Sequence, residues 1–422
     1  MLTHHKVETV SNNFIPQIKH HKRILFDLSI RGHHPAYIQH LIRYWCEQNL
    51  PGSLDIVVTP SFLHEHAELV NSSLVSNQEN VRFTAITLKE EALLKPRNNA
   101  INRNLRAFQE WHLFCKYTEL LEAEQCLVMY FDPYQLPLSL SLKKINCSFS
   151  AIYFRPTFHY NEFTKQISWK EHIQKWREKY ILSRTINHPK LKTLFCLDPF
   201  AVNSLKKLKS RADILHLPDP VHVDVPPSFQ SHQFKNELGI SSDRQICLLF
   251  GALTERKGIY QLLEAISQLS PTVCDKLCLL LVGETPLEAT LKSRIATLRE
   301  SCSIQIIERY EFIPDQDIPA YFQLSDVVLA PYQRHVGMSG ILLLAAAAQK
   351  PVLSSNYGLM GEIVRRYNLG ITVDSTKPEE IAQGLTTFSL ESSDKLCDRQ
   401  QMKLFAEQNS AEKFARIIFQ NI

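Results

Sequence analysis

Two short stretches of this 422-residue sequence bring together residue types suited to anion chemistry. In Phe250–Tyr260, FGALTERKGIY, an apolar strand ends at Phe250, Gly251 permits a tight turn, and Arg256–Lys257–Gly258 stands where the next helix begins. Orphan N–H groups and the helix dipole favour negative charge at such a place, and a nucleotide pyrophosphate fits it. A solvated basic turn produces the same pattern, and this stretch alone does not separate the two. The second stretch follows an apolar strand at Val327–Ala330: Pro331, a Tyr332–His335 loop, Gly337–Met338–Ser339–Gly340, then a wholly apolar helix over Ile341–Ala348. A small-residue turn feeding a buried helix presents free amides at the C-terminal edge of a parallel sheet, where such sheets bind ligands. Close helix–strand packing also asks for small residues, and both can hold together.

Histidine distribution and one aromatic stripe raise two further chemistries. Sixteen of the 17 histidines precede residue 233, which invites a metal reading. His64 and His66 are two apart on an expected helix and share no face, and no carboxylate cluster has ligand spacing, so no metal is expected. Trp169, Ile173, Trp176 and Tyr180 recur at helical spacing, bordered by Lys170, Lys175, Arg177 and Lys179. A stripe of that kind either packs into the core or lies on an anionic membrane surface.

The elements that must position these residues form two successive α/β series. In the first half, Ile24–Leu28, Leu54–Val58, Val81–Leu88, Leu127–Phe131, Phe149–Phe154 and Thr193–Cys196 read as strands. A Gly32–His33–His34–Pro35 turn with a helix through Trp45 and a long helix over Asn102–Glu124 separate some of them. The proline-bearing segment Ile214–Val223 reads as a linker, with the boundary near residue 218. Alternation then restarts with Ile246–Phe250, Leu277–Val282, Ile304–Ile307, Val327–Ala330, Val352–Ser354 and Ile371–Val373. Ile259, Leu262, Leu263, Ile266 and Leu269 share a helical face, and Pro378–Glu379–Glu380 opens another helix. Strands separated by helix-length segments imply two doubly wound parallel sheets facing a cleft. The expected divisions are an N-terminal extension at 1–22, a first Rossmann-like domain at 23–217, a second at 218–405, and a C-terminal helix at 406–422 crossing back to the first.

Composition narrows the class. Hydrophobic residues are 44% and charged residues 21%, which suits a globular fold, and a net charge of +4 does not point to nucleic acid. The ten cysteines form no CxxC unit, so they read as reduced thiols packed as small hydrophobes. No run of 18 apolar residues spans a bilayer, and Met1–Lys22 lacks a signal-peptide core. The expected location is cytoplasmic, with peripheral contact at the inner membrane face if the aromatic stripe lies on lipid.

Residues from about 213 to 385 resemble the donor-binding domain of the retaining family 4 glycosyltransferases of GT-B fold. The matching pieces, in the family's order and spacing, are GALTERKGIYQLLEAI, LLLVGE, DQDIPAYFQLSDVVLAPY, GMSGILLLAAAAQKPVLSS, GEIV and NLGITVDSTKPEEIAQGL. The resemblance implies that Lys257 contacts the donor diphosphate beside Gly251, with Arg256 adding charge, and that the amides of Ser339, Gly340 and Ile341 cradle the distal phosphate. It places Arg309–Ile313, and so Tyr310 and Phe312, beside the base. This chain has Ala252 where the family usually has arginine, and Val336 and Leu344 where it carries two glutamates.

In the first half the resemblance is one of outline. It puts Gly32, His33 and His34 on the acceptor side of the cleft, and Arg155, with His159 four residues on, where the family often has a histidine. The expected activity is transfer of a sugar from a nucleoside diphosphate sugar to a hydroxyl of a glycan or lipid-linked acceptor, with retention and with neither metal nor cofactor. A non-catalytic partner in glycan assembly, or a GT-B epimerase or phosphorylase, stays open beside it.

Overall fold

The computed structural model describes residues 22–75, 80–140, 145–156, 169–220, 230–335 and 337–422. It holds two sheets, each wholly parallel. The first contains β1 (Lys22–Phe26), β2 (Ser53–Val58), β3 (Val81–Ala85), β4 (Gln125–Val128), β5 (Ser148–Tyr153), β6 (Leu191–Cys196) and β7 (Asp213–His216), in the order β3-β2-β1-β4-β5-β6-β7. The second contains β8 (Gln245–Phe250), β9 (Leu277–Val282), β10 (Gln305–Arg309), β11 (Val327–Ala330), β12 (Val352–Ser355) and β13 (Gly370–Val373), in the order β10-β9-β8-β11-β12-β13. Both are Rossmann-like.

Strand runs such as Leu277–Val282, buried at every position, are what a sheet covered on both faces requires. Alternate residues of each strand enter opposite cores. Ile24 and Phe26 join Trp111, Phe114 and Phe149 on one face of the first sheet, while Leu25, Leu54 and Ile56 join Ile38, Leu41 and Trp45 on the other. In the second sheet Leu248 and Phe250 face Phe322, Leu342 and Met360, and Cys247 and Leu249 face Ile259, Leu262 and Ile266.

Two readings of the sequence need correction. The segment read as linker from Ile214 supplies an edge strand, because β7 pairs with β6 from Thr193↔Asp213 to Cys196↔His216. Pro218 and Pro220 come after that strand and do not interrupt it. The core reading of the aromatic stripe also fails for its described side chains: on helix Trp169–Ile186, Ile173, Trp176 and Tyr180 are exposed, and Leu182, Thr185 and Ile186 are buried instead. The inward face of this helix is set by its last two turns, which the aromatic spacing did not reveal.

The chain changes domain at its end. Helix Arg399–Gln408 buries Met402 and Phe405 in the second domain. Helix Ala411–Asn421 starts a new N-cap at Ser410 and buries Phe414, Ala415 and Ile418 in the first. The crossing therefore falls at Asn409–Ser410. Phe414 lies 4.9 Å from Tyr37, ring to ring, and Asn421 O accepts from Thr193 Oγ1 at 2.9 Å.

Candidate active site

In both sheets strand order reverses beside a central strand, between β1 and β4 and between β8 and β11. Ligands of open α/β sheets bind outside the carboxyl ends at such points. The segments singled out from sequence emerge there.

In the second domain, Gly251 leaves β8 at φ +95° and Gly258 enters helix Ile259–Ile266 at φ +74°. A Cβ on Gly258 would lie 2.1 Å from Pro331 O, so the two turns are pressed together at this glycine. The backbone joins them as well, Gln333 N–H donating to Arg256 O at 2.8 Å. Lys257 is only 5% exposed. Its Nζ donates to Phe250 O at 2.7 Å and to the Tyr332 hydroxyl, and lies 4.6 Å from the centre of the Tyr332 ring. Tyr332 OH is in turn 3.0 Å from Ser339 Oγ. Among the described residues no carboxylate forms an ion pair with Lys257. A buried ammonium held only by neutral groups is poised for an anion, since buried charge is otherwise costly.

Arg256 is exposed, its guanidinium 5.3 Å from the Tyr332 ring and 3.4 Å from His335 Nδ1. His335 Nε2 lies 3.1 Å from Met338 O, which ties the loop back to the small-residue turn. Burial, and then the charges of Arg256, Arg155 and Lys257, hold His335 below the ordinary histidine range, against the opposing bond to Met338. Helix Gly340–Ala347 begins directly after Ser339, so the amides of Gly340 and Ile341 belong to its open first turn. The structure thus brings Gly251, Arg256, Lys257, Ser339, Gly340 and Ile341 to one edge.

Tyr310 and Phe312 follow β10, at the same edge but three strands from β11. Gly283 N–H donates to Arg309 O at 2.9 Å and aligns that loop with the end of β9. Phe312 is 69% exposed, whereas Tyr310 packs against the core of the second domain. Leu344 is half-buried against the apolar core and presents no polar group. Val336 and His159 lie outside the described residues.

In the first domain, Gly32 turns at φ +81° and delivers His33 and His34 to the start of helix His34–Glu47. His34 is buried, with Nδ1 2.6 Å from Asp27 Oδ2. A carboxylate partner makes Nδ1 the donor and leaves Nε2 able to accept a proton. His33 stacks on His34 and on Phe154, both at 4.7 Å. Its edge reaches solvent, yet burial among these rings, and then the neighbouring His34, push it down to about 4.

Arg155 is exposed at the end of β5, its N–H donating to Asp132 Oδ1 at 2.9 Å. Burial pushes Asp132 up to about 6, against the opposing bonds from the Phe154 and Arg155 amides. The charge of Arg155 acts on His33 in its own domain and on His335 in the other.

Sequence reasoning missed Tyr332, Asp27 and Asp132 as partners. Tyr332 stood in the quoted motif, but that it is the hydroxyl bridging Lys257 to Ser339 depends on a fold-back across 75 residues.

Comparison with known proteins meets this geometry. Residues 230–408 match the family model of the glycosyl transferases group 1. The second domain is of the glycosyltransferase group 1 type. YtcC of Bacillus subtilis (strain 168) is 24% identical over 156 residues, and the match spans 36% of this chain and only 38% of that relative. Among solved structures, a glycosyltransferase of Rickettsia africae is similar over 95% of this chain and 97% of its own, with a TM-score of 0.65 and 15% identity. Anabaena Alr3699/HepE, solved in complex with UDP and glucose, is similar over 95% of this chain and 99% of its own, with a TM-score of 0.60 and 14% identity. At these identities the likeness is one of fold, and the fold is GT-B.

A cavity of about 820 Å³ lies elsewhere, lined by Arg43, Glu47, Gln349, Lys403 and Glu412 among others. It sits at the C-terminal ends of helices whose N-termini carry the site. A 14-residue helix separates the two places by roughly 20 Å. Its mixed charges show no convergence on one ligand.

Proposed function

We propose that this protein transfers a sugar from a nucleoside diphosphate sugar to a hydroxyl of a glycan or lipid-linked acceptor. The carrying observation is the junction of Lys257, Tyr332 and Ser339, where a buried ammonium, a hydroxyl relay and open helix amides meet at one sheet edge. Lys257 and Arg256 would meet the charge that grows on the departing diphosphate, with the Gly340 and Ile341 amides on its distal phosphate. Losing one such group commonly costs about 3 kcal/mol of barrier. Protein cations then do the work a divalent metal does elsewhere, and a chelator is expected to leave the rate unchanged. The exposed Ile173, Trp176 and Tyr180 face supports peripheral contact with a membrane carrying a lipid-linked acceptor.

The reaction is read as retaining, with the leaving phosphate taking the acceptor proton. The Asp27–His34 pair is the one observation on the other side: a product of inverted configuration would assign proton removal to His34. The anomeric configuration of the product, read by NMR, decides between them. A non-catalytic role finds its observation in Leu344, apolar where a hydroxyl-binding glutamate is usual. The test is release of nucleoside diphosphate from a panel of nucleotide sugars. Turnover with one of them that is lost in Lys257→Met supports the transferase; no turnover and no nucleotide binding support the partner role.

A further inference from the structure

A second concentration of charge lies on the first domain, and the donor chemistry does not use it. A cavity of about 470 Å³ opens at the end of β1, with Arg31, His34, Glu65, Arg97 and Arg106 in its lining. That volume is in the range of small-molecule sites, about 300–1,000 Å³. Its three guanidiniums come from separate places: the turn after β1, the loop before helix Ala100–Leu120, and that helix itself.

The arginines are unequally neutralised. Arg106 Nε and an Arg97 terminal nitrogen both donate to Glu110 Oε1, at 2.6 and 3.0 Å, and Tyr134 OH donates to Oε2 at 3.1 Å. Glu110 is buried, its side chain 1% exposed, so one carboxylate with both oxygens engaged serves two cations. One positive charge is left over. Arg97 keeps 42% of its side chain exposed. Arg31 stands 3.7 Å from Glu65 with its side chain 88% exposed, an ion pair of little weight. Anchored guanidinium forks that keep free N–H groups are suited to bidentate capture of an oxyanion.

We propose that this cavity binds a phosphomonoester carried by the acceptor, with Arg97, Arg106 and Arg31 holding its charge and His34 in its wall. His34 links the cavity to the chemistry: it lines the cavity and stacks on Phe154 at 6.1 Å, and Phe154 directly precedes Arg155, whose charge acts on His335 of the second domain. The proposal rests on the transferase reading and names its acceptor class. The phosphate belongs either to a soluble sugar phosphate or to a phospholipid headgroup, which present the same group to the arginines.

The test is calorimetric titration of inorganic phosphate into protein already saturated with the nucleoside diphosphate that stabilises it most, so that the Lys257 site is filled. One site is expected. Arg97→Gln should weaken it about tenfold or more, the scale of a charge-assisted hydrogen bond, and Arg31→Gln by less. Arg31 is exposed and its ion pair is with the half-exposed Glu65, so its variant keeps the test open if Arg97→Gln fails to fold. Competition by glucose 6-phosphate assigns a soluble acceptor. Sedimentation with phosphatidylcholine vesicles containing phosphatidic acid, lost in Arg97→Gln, assigns a headgroup. Absence of phosphate binding, or binding unchanged in both variants, overturns the proposal while leaving the transferase reading intact. If no nucleoside diphosphate binds, the transferase reading fails by itself; phosphate binding to the free protein must then weaken in Arg97→Gln and persist in Lys257→Met for the cavity to stand.

Discussion

The ammonium of Lys257 is hydrogen-bonded to the hydroxyl of Tyr332, 75 residues further along the chain. This bond joins the turn after β8 to the loop after β11, on the two strands that flank the reversal of strand order in the second sheet. Because Tyr332 also reaches Ser339, a single phenol spans the cation and the turn that opens helix Gly340–Ala347.

Tyr332→Phe removes that bridge and keeps the ring. Lys257 then loses a neutral partner, and Ser339 loses its link to the cation. Stability should fall by about 1–2 kcal/mol in chemical denaturation, and kcat/KM by about tenfold or more. A variant that matches the parent in both would show the hydroxyl to be idle.

Gly258→Ala should be among the most damaging single methyl additions in the second domain. The residue sits at φ +74°, and its Cβ would meet Pro331 O at 2.1 Å, which is backbone and cannot swing aside. A left-handed non-glycine residue alone costs about 1–3 kcal/mol, and the clash adds to it. Urea denaturation midpoints check this; a loss below about 1 kcal/mol would mean that the two turns do not press together.

Asp219 gives a pH dependence of defined sign. It follows β7 and accepts a hydrogen bond from Tyr37 OH. Burial pushes its carboxyl up from 3.8 to about 6, against the opposing bond from Tyr37. The folded state therefore prefers the neutral carboxyl. This contribution is complete below the unfolded value near 3.8 and is lost as pH rises through about 6. Asp219→Asn keeps an acceptor for Tyr37 without the charge. It should match the parent near pH 4 relative to its own baseline and gain about 1–2 kcal/mol on it by pH 8, after allowance for partial exposure. A gap that narrows with rising pH contradicts the reading.

Arg155 and His335 report on the cleft between the domains. The Arg155 charge helps keep His335 below the ordinary histidine range. Arg155→Gln should move the His335 titration upward, as read by NMR of the imidazole. An unmoved titration would mean that the two domains do not bring these residues together in solution.

Much of this was legible because burial on both sheet faces leaves a plain mark. Leu277–Val282 and Val327–Ala330 carry unbroken apolar runs, and their strands fall on those residues. The motif around Gly251–Gly258 located the candidate edge of the second sheet for a different reason: glycine and paired cations stand out against an apolar strand. β7 was hidden because Pro218 and Pro220 sit just past its end and gave the whole segment the look of a linker. The cationic cavity was hidden more deeply. Arg31, Arg97 and Arg106 are scattered in sequence, and Glu110 falls mid-helix between Gln109 and Trp111; only the packing of helix Ala100–Leu120 against the end of β1, with Phe114 on Phe26, collects them.

The most direct measurement is the melting temperature of the protein, with and without a panel of nucleoside diphosphates, in the parent and in Lys257→Met. Methionine fills the lysine's space without its charge, which keeps loss of fold apart from loss of ligand. One nucleoside diphosphate at about 100 times its Kd should stabilise the parent by about 2.7 kcal/mol, a rise of roughly 3 °C if the chain melts as one unit and roughly 5–10 °C if the second domain melts by itself, and should do almost nothing for Lys257→Met. A parent indifferent to every nucleotide, or a Lys257→Met variant stabilised as much as the parent, would contradict a diphosphate site built on Lys257.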